Sequence, residues 1–380
     1  MDLQDYRKQI DEVDSELLRL FTRRMEICSG IAKYKMQNGI PIFDAARERA
    51  KLADLYERTD EEMRSYTNVL FSLMFELSRL HQKKIINPST ELMRQIESAI
   101  EETDKCFPEN ALIACQGVEG AYSQLACEKL FTVPNIMYFS SFEGVFSAID
   151  KGLCRYGVLP IENSTAGSVN KIYDLMMRYD FSIVRSVRLK VDHNLLAKKG
   201  TKLSDIKEIF SHEQAINQCA GFLSGLKNVK VTVCENTATA AKMVAQSERS
   251  DIAALSSRSS AEIYGLDCLC ASVQDTGNNY TRFICLSKKL EIYAGADKTS
   301  IMMVVSHKPG SLYKVLSRFY AMGINLVKLE SRPIPDRDFE FMFYFDLETP
   351  VYSDKFTQLI GEMDSLCEKF KYLGSYSEMV

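Results

Sequence analysis

Through residues 1 to about 86, apolar positions recur every three or four residues. Pro41 is the single proline, and the pattern predicts helix nearly throughout. One face of the first helix reads Arg7, Ile10, Asp14, Leu17, Phe21, Arg24, Cys28, Ile31, Lys35. Residues 89–109 follow Pro88, carry an acidic helical patch and read as a linker. From Ala111 the texture changes. Short apolar runs at 111–115, 157–161, 182–189, 208–210, 230–234, 252–255 and 282–286 alternate with helical patterns and predict an α/β region over 110–293. A polar boundary near 294–298 precedes a tail, 298–380. The tail predicts strand (300–306), helix (311–322), strand (324–330), strand (339–347), helix (353–370) and strand (372–376). That βαββαβ order is the ferredoxin-like arrangement.

The expected fold is therefore multidomain: an all-α bundle (1–88), an α/β region (110–293) and an α+β tail. The length of 380 residues suits two or three domains, and 46% hydrophobic with 26% charged residues is an ordinary globular balance. A net charge of −4 argues against a nucleic-acid binder. No apolar run is long enough to span a membrane, and the first residues do not resemble a secretory signal. The 11 cysteines follow no framework spacing, as expected of reduced thiols in a cytoplasmic protein. The 4 histidines are not in metal spacing, so no zinc site is expected.

In the helical segment Arg7, Asp14, Arg24 and Lys35 interrupt an apolar face. Buried cations need an anionic partner; a solvated face with snorkelling stems is the alternative. Asp44, Arg47 and Glu48 lie together on a second predicted helix, and Ser78 and Gln82 interrupt the apolar stripe of a third. Polar residues on three helices suggest one polar pocket in a bundle. This set resembles the all-helical chorismate mutases. The resemblance implies that Arg7, Arg24 and Arg47 hold the two substrate carboxylates and that Lys35 and Gln82 donate to the ether oxygen. Glu48 would bind the ring hydroxyl, with Asp44 and Ser78 beside it. It also implies an intertwined dimer in which Arg7 comes from the partner. The rearrangement is pericyclic and needs no nucleophile, only positioning by arginines and stabilised charge on the ether oxygen.

In the α/β region, Tyr156–Val169 runs from a buried strand into Glu162-Asn163-Ser164-Thr165, with a helical pattern from Val169. Polar residues between a strand end and a helix start suit a small anion, although a capped βα loop would look the same. Gly117–Ser123, Ser211–Gln218, Asn236–Thr239 and Asn278–Phe283 are further polar turns. In order, these segments resemble the motifs of prephenate dehydratases. The departures are Val118, Ala121 and Glu213, where proline, threonine and proline are usual. The resemblance implies a cleft between two lobes and no metal or organic cofactor. Thr281 would donate to the leaving hydroxyl. Ser123, Asn163, Ser164 and Arg282 would fix carboxylates, Glu162 would orient its neighbours, and Ser211 and Gln218 would bind from the second lobe.

In the tail, His307–Leu312 joins a strand to a helix and Glu330-Ser331-Arg332-Pro333 ends the next strand. Both resemble the ACT-domain signatures of prephenate dehydratases. Gly310, Ser311, Leu312, Glu330, Ser331, Arg332 and Pro333 are thereby implied in binding L-phenylalanine. Nearly the whole chain resembles the bifunctional chorismate mutase–prephenate dehydratases. The expected small molecules are chorismate, prephenate and the effector phenylalanine, with no nucleic-acid or membrane partner and a homodimer or larger assembly. An arogenate-preferring dehydratase and a non-catalytic amino-acid sensor fused to a mutase remain alternatives.

Overall fold

The computed structural model describes residues 2–86, 90–334 and 340–380. They form two compact units, Met1–Gln95 with Gln358–Leu366, and Ile96–Thr357 with Cys367–Val380. No helix among the described residues is long and apolar enough to cross a membrane.

In the first unit, helix Leu3–Gln37 begins at a capping box. The Asp2 carboxylate accepts from the N–H groups of Gln4 and Asp5, and Asp5 reaches back to the Asp2 N–H. The helix stops at Asn38, and Gly39 turns away with φ of 63°. Asp44 caps the second helix, Ala45–Glu57, by accepting from the Arg47 N–H. The third helix is Arg64–Ile86. It packs on the C-terminal half of the first, where Cys28 and Ala32 are buried. The N-terminal half of the first helix keeps its apolar side bare; Ile10 is 59% and Leu17 54% exposed. The predicted linker contains a helix, Glu91–Glu102, with Met93, Ile96 and Ala99 buried. Its start at Ser89 and the Pro88 boundary lie outside the described residues.

The second unit holds three sheets of described strands. The largest has seven strands. Its order is Glu378–Met379, Ser182–Lys190, Tyr280–Ser287, Tyr156–Asn163, Asn110–Gln116 and Val133–Phe139, with Gly167–Ser168 paired onto Tyr156–Asn163. A second sheet runs Asp267–Cys270, Asn194–Ala197, Ile252–Ser256, Glu208–Ser211 and Lys230–Val233. The chain passes from the first sheet to the second after Lys190 and returns before Tyr280. Five of these strands were not expected, two of them, Gly167–Ser168 and Glu378–Met379, only 2 residues long. Val133–Phe139 is an edge strand with no fully buried position, so its sequence lacks a clear apolar signal. Asn194–Ala197 and Asp267–Cys270 are only 4 residues each.

Strand Tyr156–Asn163 is central yet contains Pro160, which cannot donate to a ladder. A register shift absorbs it. Arg282 pairs with Glu162 and Phe283 with Pro160, leaving Ile161 as the extra residue of a bulge.

The tail follows strand Lys298–Val304, helix Ser311–Ala321, strands Asn325–Pro333 and Phe341–Glu348, helix Asp354–Leu366 and strand Lys369–Tyr376. The sheet order is fourth, first, third, second. The second helix ends at Leu366 instead of the expected 370, because Lys369 and Phe370 already pair with Val304 and Met303. The Phe339 start expected for the third strand lies outside the described residues. This sheet does not stand apart from the first. Met302, Tyr344 and Leu373 share one buried cluster with Leu159, Tyr173, Ile183 and Ile284.

Candidate functional site

In the helical unit the third helix gathers the predicted residues. Arg24 donates to the carbonyl of Met74, 3.1 Å, and to the Ser78 hydroxyl. Gln82, one turn further on and buried, has no partner for Oε1. Lys35 is half-buried and donates to the Ile42 carbonyl, 2.6 Å. Arg7 and Arg47 are exposed, and Asp44 is engaged as a helix cap. At about 1.5 Å per residue, Arg7 lies about 25 Å up the helix from Arg24. One copy of the chain therefore cannot bring both to the same ligand. Both oxygens of Glu48 accept from Arg79, a partner not expected, which also lies over the Phe43 ring. Arg79 escaped the sequence reading because it falls beside the apolar stripe and looks like a solvated surface charge.

In the second unit the Glu162–Val169 stretch leads into the expected helix, Asn170–Arg178, but makes a hairpin first. Asn163 Oδ1 accepts from the N–H groups of Thr165 and Ala166, at 3.0 and 2.8 Å, and the chain folds back as Gly167–Ser168. The N–H groups of Thr165 and Ala166 are therefore used inside this hairpin. Pairing of strands Tyr156–Asn163 and Tyr280–Ser287 sets Asn163 opposite Thr281 and Glu162 opposite Arg282. Asn163 Nδ2 donates to Thr281 Oγ1, 3.0 Å, and to Asn279 Oδ1, 2.7 Å. Asn279 Nδ2 donates to Gln218 Oε1, 2.9 Å, which also meets His193 Nε2 at 2.8 Å. Ser164 Oγ bridges the Asn278 carbonyl and the Tyr280 N–H, each at 2.9 Å. Across the lobes, the Gly120 carbonyl accepts from Ser257 and Ser260, and Ser123 is buried just beyond that turn. Gly120 has φ of 87°, and a Cβ there would stand 3.0 Å from Ser260 Oγ.

Two expected ligand residues are committed elsewhere. Ser211 is fully buried and donates to the Leu255 carbonyl, 2.8 Å. Arg282 is 4% exposed; its Nε lies 2.6 Å from Glu162 Oε1, and it donates to Asp346 of the tail. Burial opposes its charge, but Asp346 and Glu162 raise its pKa above the ordinary arginine value. Burial likewise pushes the Glu162 carboxyl up, but Arg282 and Lys328 outweigh this and hold it below its ordinary value. Lys328 of the tail donates to Glu162 Oε2 at 2.6 Å.

In the tail, Gly310 takes φ of 81° and caps helix Ser311–Ala321. Beside it lies a cavity of about 380 Å³, whose walls include His307, Ser311, Leu312, Phe341 and Phe343. Glu330 and Arg332, expected here, point to the seven-stranded lobe instead. Glu330 accepts from Ser168, and Arg332 donates to both oxygens of Asp174 at 3.0 and 3.1 Å. Strand alternation explains this: Lys328, Glu330 and Arg332 share one face, and Ser331 and Pro333 take the exposed other. Phe341 and Phe343 were missed because they read as ordinary strand residues.

Residues 6–83 match the chorismate mutase type II family, and residues 113–291 match the prephenate dehydratase family. The chain is 30% identical over 382 residues to a bifunctional chorismate mutase/prephenate dehydratase of Escherichia coli K12, covering 97% of this chain and 95% of that one. It is 36% identical over 281 residues to arogenate dehydratase 2 of Petunia hybrida, covering 70% and 71%. A prephenate dehydratase from Arthrobacter aurescens, solved in complex with L-Phe, matches with a TM-score of 0.65 at 25% identity, over 70% of this chain and 89% of that one. A mutase bundle joined to a two-lobed dehydratase defines the class as a two-activity enzyme of aromatic amino-acid synthesis. The chain belongs to the bifunctional chorismate mutase/prephenate dehydratase family. It is an isomerase and a lyase of phenylalanine biosynthesis.

Proposed function

We propose that the mutase site is built from two copies of the chain, with Arg24, Lys35, Arg47, Ser78 and Gln82 from one and Arg7 from the other. The bare apolar half of the first helix and the distance from Arg7 to Arg24 support this reading. Arg7, Arg24 and Arg47 hold the chorismate carboxylates; Lys35 and the Gln82 amide donate to the breaking ether oxygen, with Asp44 and Ser78 beside the site. Arg79 holds Glu48 ready to receive the ring hydroxyl. The test is complementation. Arg7→Ala and Arg24→Ala each lose about a hundredfold in mutase rate. Mixed and refolded together, they regain roughly a quarter of the wild-type rate, because half the dimers then carry one intact site. No recovery would mean each site belongs to one chain.

At the dehydratase site Thr281 donates to the leaving ring hydroxyl. Its oxygen already accepts from Asn163, which leaves the hydroxyl proton free for substrate. That cross-strand pair is the observation that carries the reading. As the ring carboxylate leaves as CO2, its C–C electron pair enters the ring and the ring C–O bond breaks. The departing hydroxide, hydrogen-bonded by Thr281, takes a proton from solvent and leaves as water. Ser123, Ser164 and Gln218 bind the substrate. Glu162 and Arg282 hold the strands and the tail together instead of touching substrate. Prephenate is the expected substrate, and the identity to an arogenate dehydratase motivates the comparison. Rates of phenylpyruvate formation from prephenate and of phenylalanine formation from arogenate decide between them.

The tail is an ACT domain of ferredoxin-like fold that binds L-phenylalanine beside Gly310, Ser311 and Leu312. The cavity at that turn and the phenylalanine-bound neighbour support this. Binding lowers the dehydratase rate to the extent that phenylalanine prefers the less active state.

A further inference from the structure

His193 lies in the segment that carries the chain from the seven-stranded to the five-stranded sheet, and nothing in its sequence context marks it. It is 3% exposed. Val273 donates to its carbonyl at 2.8 Å, and its own N–H donates to Gln274 Oε1 at 2.9 Å, so it is tied to the returning segment as well.

The hydrogen bonds around it leave one consistent set of protons. Asn163 Oδ1 accepts from two backbone N–H groups, which can only donate, so Asn163 Nδ2 faces Asn279. The Asn279 oxygen must then accept and its amino group must donate to Gln218. Gln218 Oε1 is therefore an acceptor, and the His193 ring nitrogen beside it must carry a hydrogen. His193 thus carries a hydrogen on Nε2, and its neutral ring is the Nε2–H tautomer with Nδ1 unprotonated. Burial also lowers its pKa, which favours the neutral ring. Two buried polar atoms are left without partners, Gln218 Nε2 and His193 Nδ1. Buried donors and acceptors without partners are costly and uncommon.

We propose that His193 is a positioning residue of the dehydratase site: its Nε2–H locks the Gln218 amide so that the Gln218 amino group stays available to an oxygen of the substrate. Asn279 and His193 clamp the same carbonyl from two sides, and without His193 the amide can turn over. This rests on Thr281, Asn163 and Gln218 forming the substrate site.

The test uses the full-length enzyme, with its mutase rate as an internal measure of active protein. His193→Leu raises the dehydratase KM at least tenfold and leaves the mutase rate unchanged. His193→Gln, which keeps an N–H at the end of the side chain, stays within about threefold of wild type, about one weak hydrogen bond. A Leu variant with unchanged KM, or a Gln variant as impaired as Leu, overturns the proposal. On wild-type enzyme, ¹⁵N-histidine NMR, assigned by difference against His193→Gln, shows the Nε2–H tautomer; an Nδ1–H tautomer overturns the proposal whatever the activity of the Leu variant. Thr281→Ala and Gln218→Leu test the underlying site. If both keep full dehydratase activity the site itself is misplaced. If both lose it and His193→Leu does not, only the role of His193 is wrong.

Discussion

The Thr281 oxygen accepts from Asn163, and the proposed role uses its hydroxyl hydrogen as the donor to the leaving group. Thr281→Ala should reduce dehydratase activity to background and leave the mutase rate intact, since the two sites share no residues. Thr281→Ser should keep a measurable part of the rate. Near-wild-type dehydration by the Ala variant would remove Thr281 from the mechanism. The next residue plays a different part. Arg282 and Asp346 are a buried pair, with Asp346 1% exposed and also bonded to Ser300 and Tyr344. Asp346→Asn leaves a buried guanidinium with only Glu162 opposite, and should cost about 3 kcal/mol of unfolding free energy. Urea denaturation of the second unit measures it. The sequence offered a hint: Asp346 is a charge inside the apolar strand Phe341–Glu348.

Among the elements, the long helices and the alternation of the tail were legible because period and capping agree along many residues. The hairpin after Asn163 was not. Its polar residues fit a helix cap equally well, and only cross-strand pairing separates the two. The pairing of Thr281 with Asn163 was likewise hidden, although each lies in a recognisable motif. Lys328, Glu330 and Arg332 form a charged face on one strand, but the sequence does not say what that face meets. Strand Lys369–Tyr376 crosses strand Ser182–Lys190 so closely that a Cβ at Gly374 would stand 2.3 Å from the Ile183 carbonyl oxygen. Its φ of 129° adds to the constraint. Gly374→Ala should therefore force the two strands apart and destabilise the second unit by about 1–3 kcal/mol. A thermal midpoint equal to wild type would show that the crossing relaxes without loss.

For the whole molecule, the proposal is that an effector at one turn of the tail governs chemistry at Thr281. Wild-type dehydratase should fall sigmoidally with phenylalanine. Gly310→Val should abolish that response, because a β-branched residue is strained at φ of 81°, and should keep the uninhibited rate. Dehydratase indifferent to millimolar phenylalanine, with no binding by calorimetry, would reduce the tail to a structural partner. The shared cluster of Met302, Tyr344 and Leu373 with Ile183 and Ile284, together with the pairing of Glu378–Met379 onto Ser182–Lys190, bears on the history of such a chain. A domain that borrows its neighbour's core is not a portable part. The tail and the dehydratase lobe have to be inherited together and to drift in step, each substitution at their common wall answered by another across it.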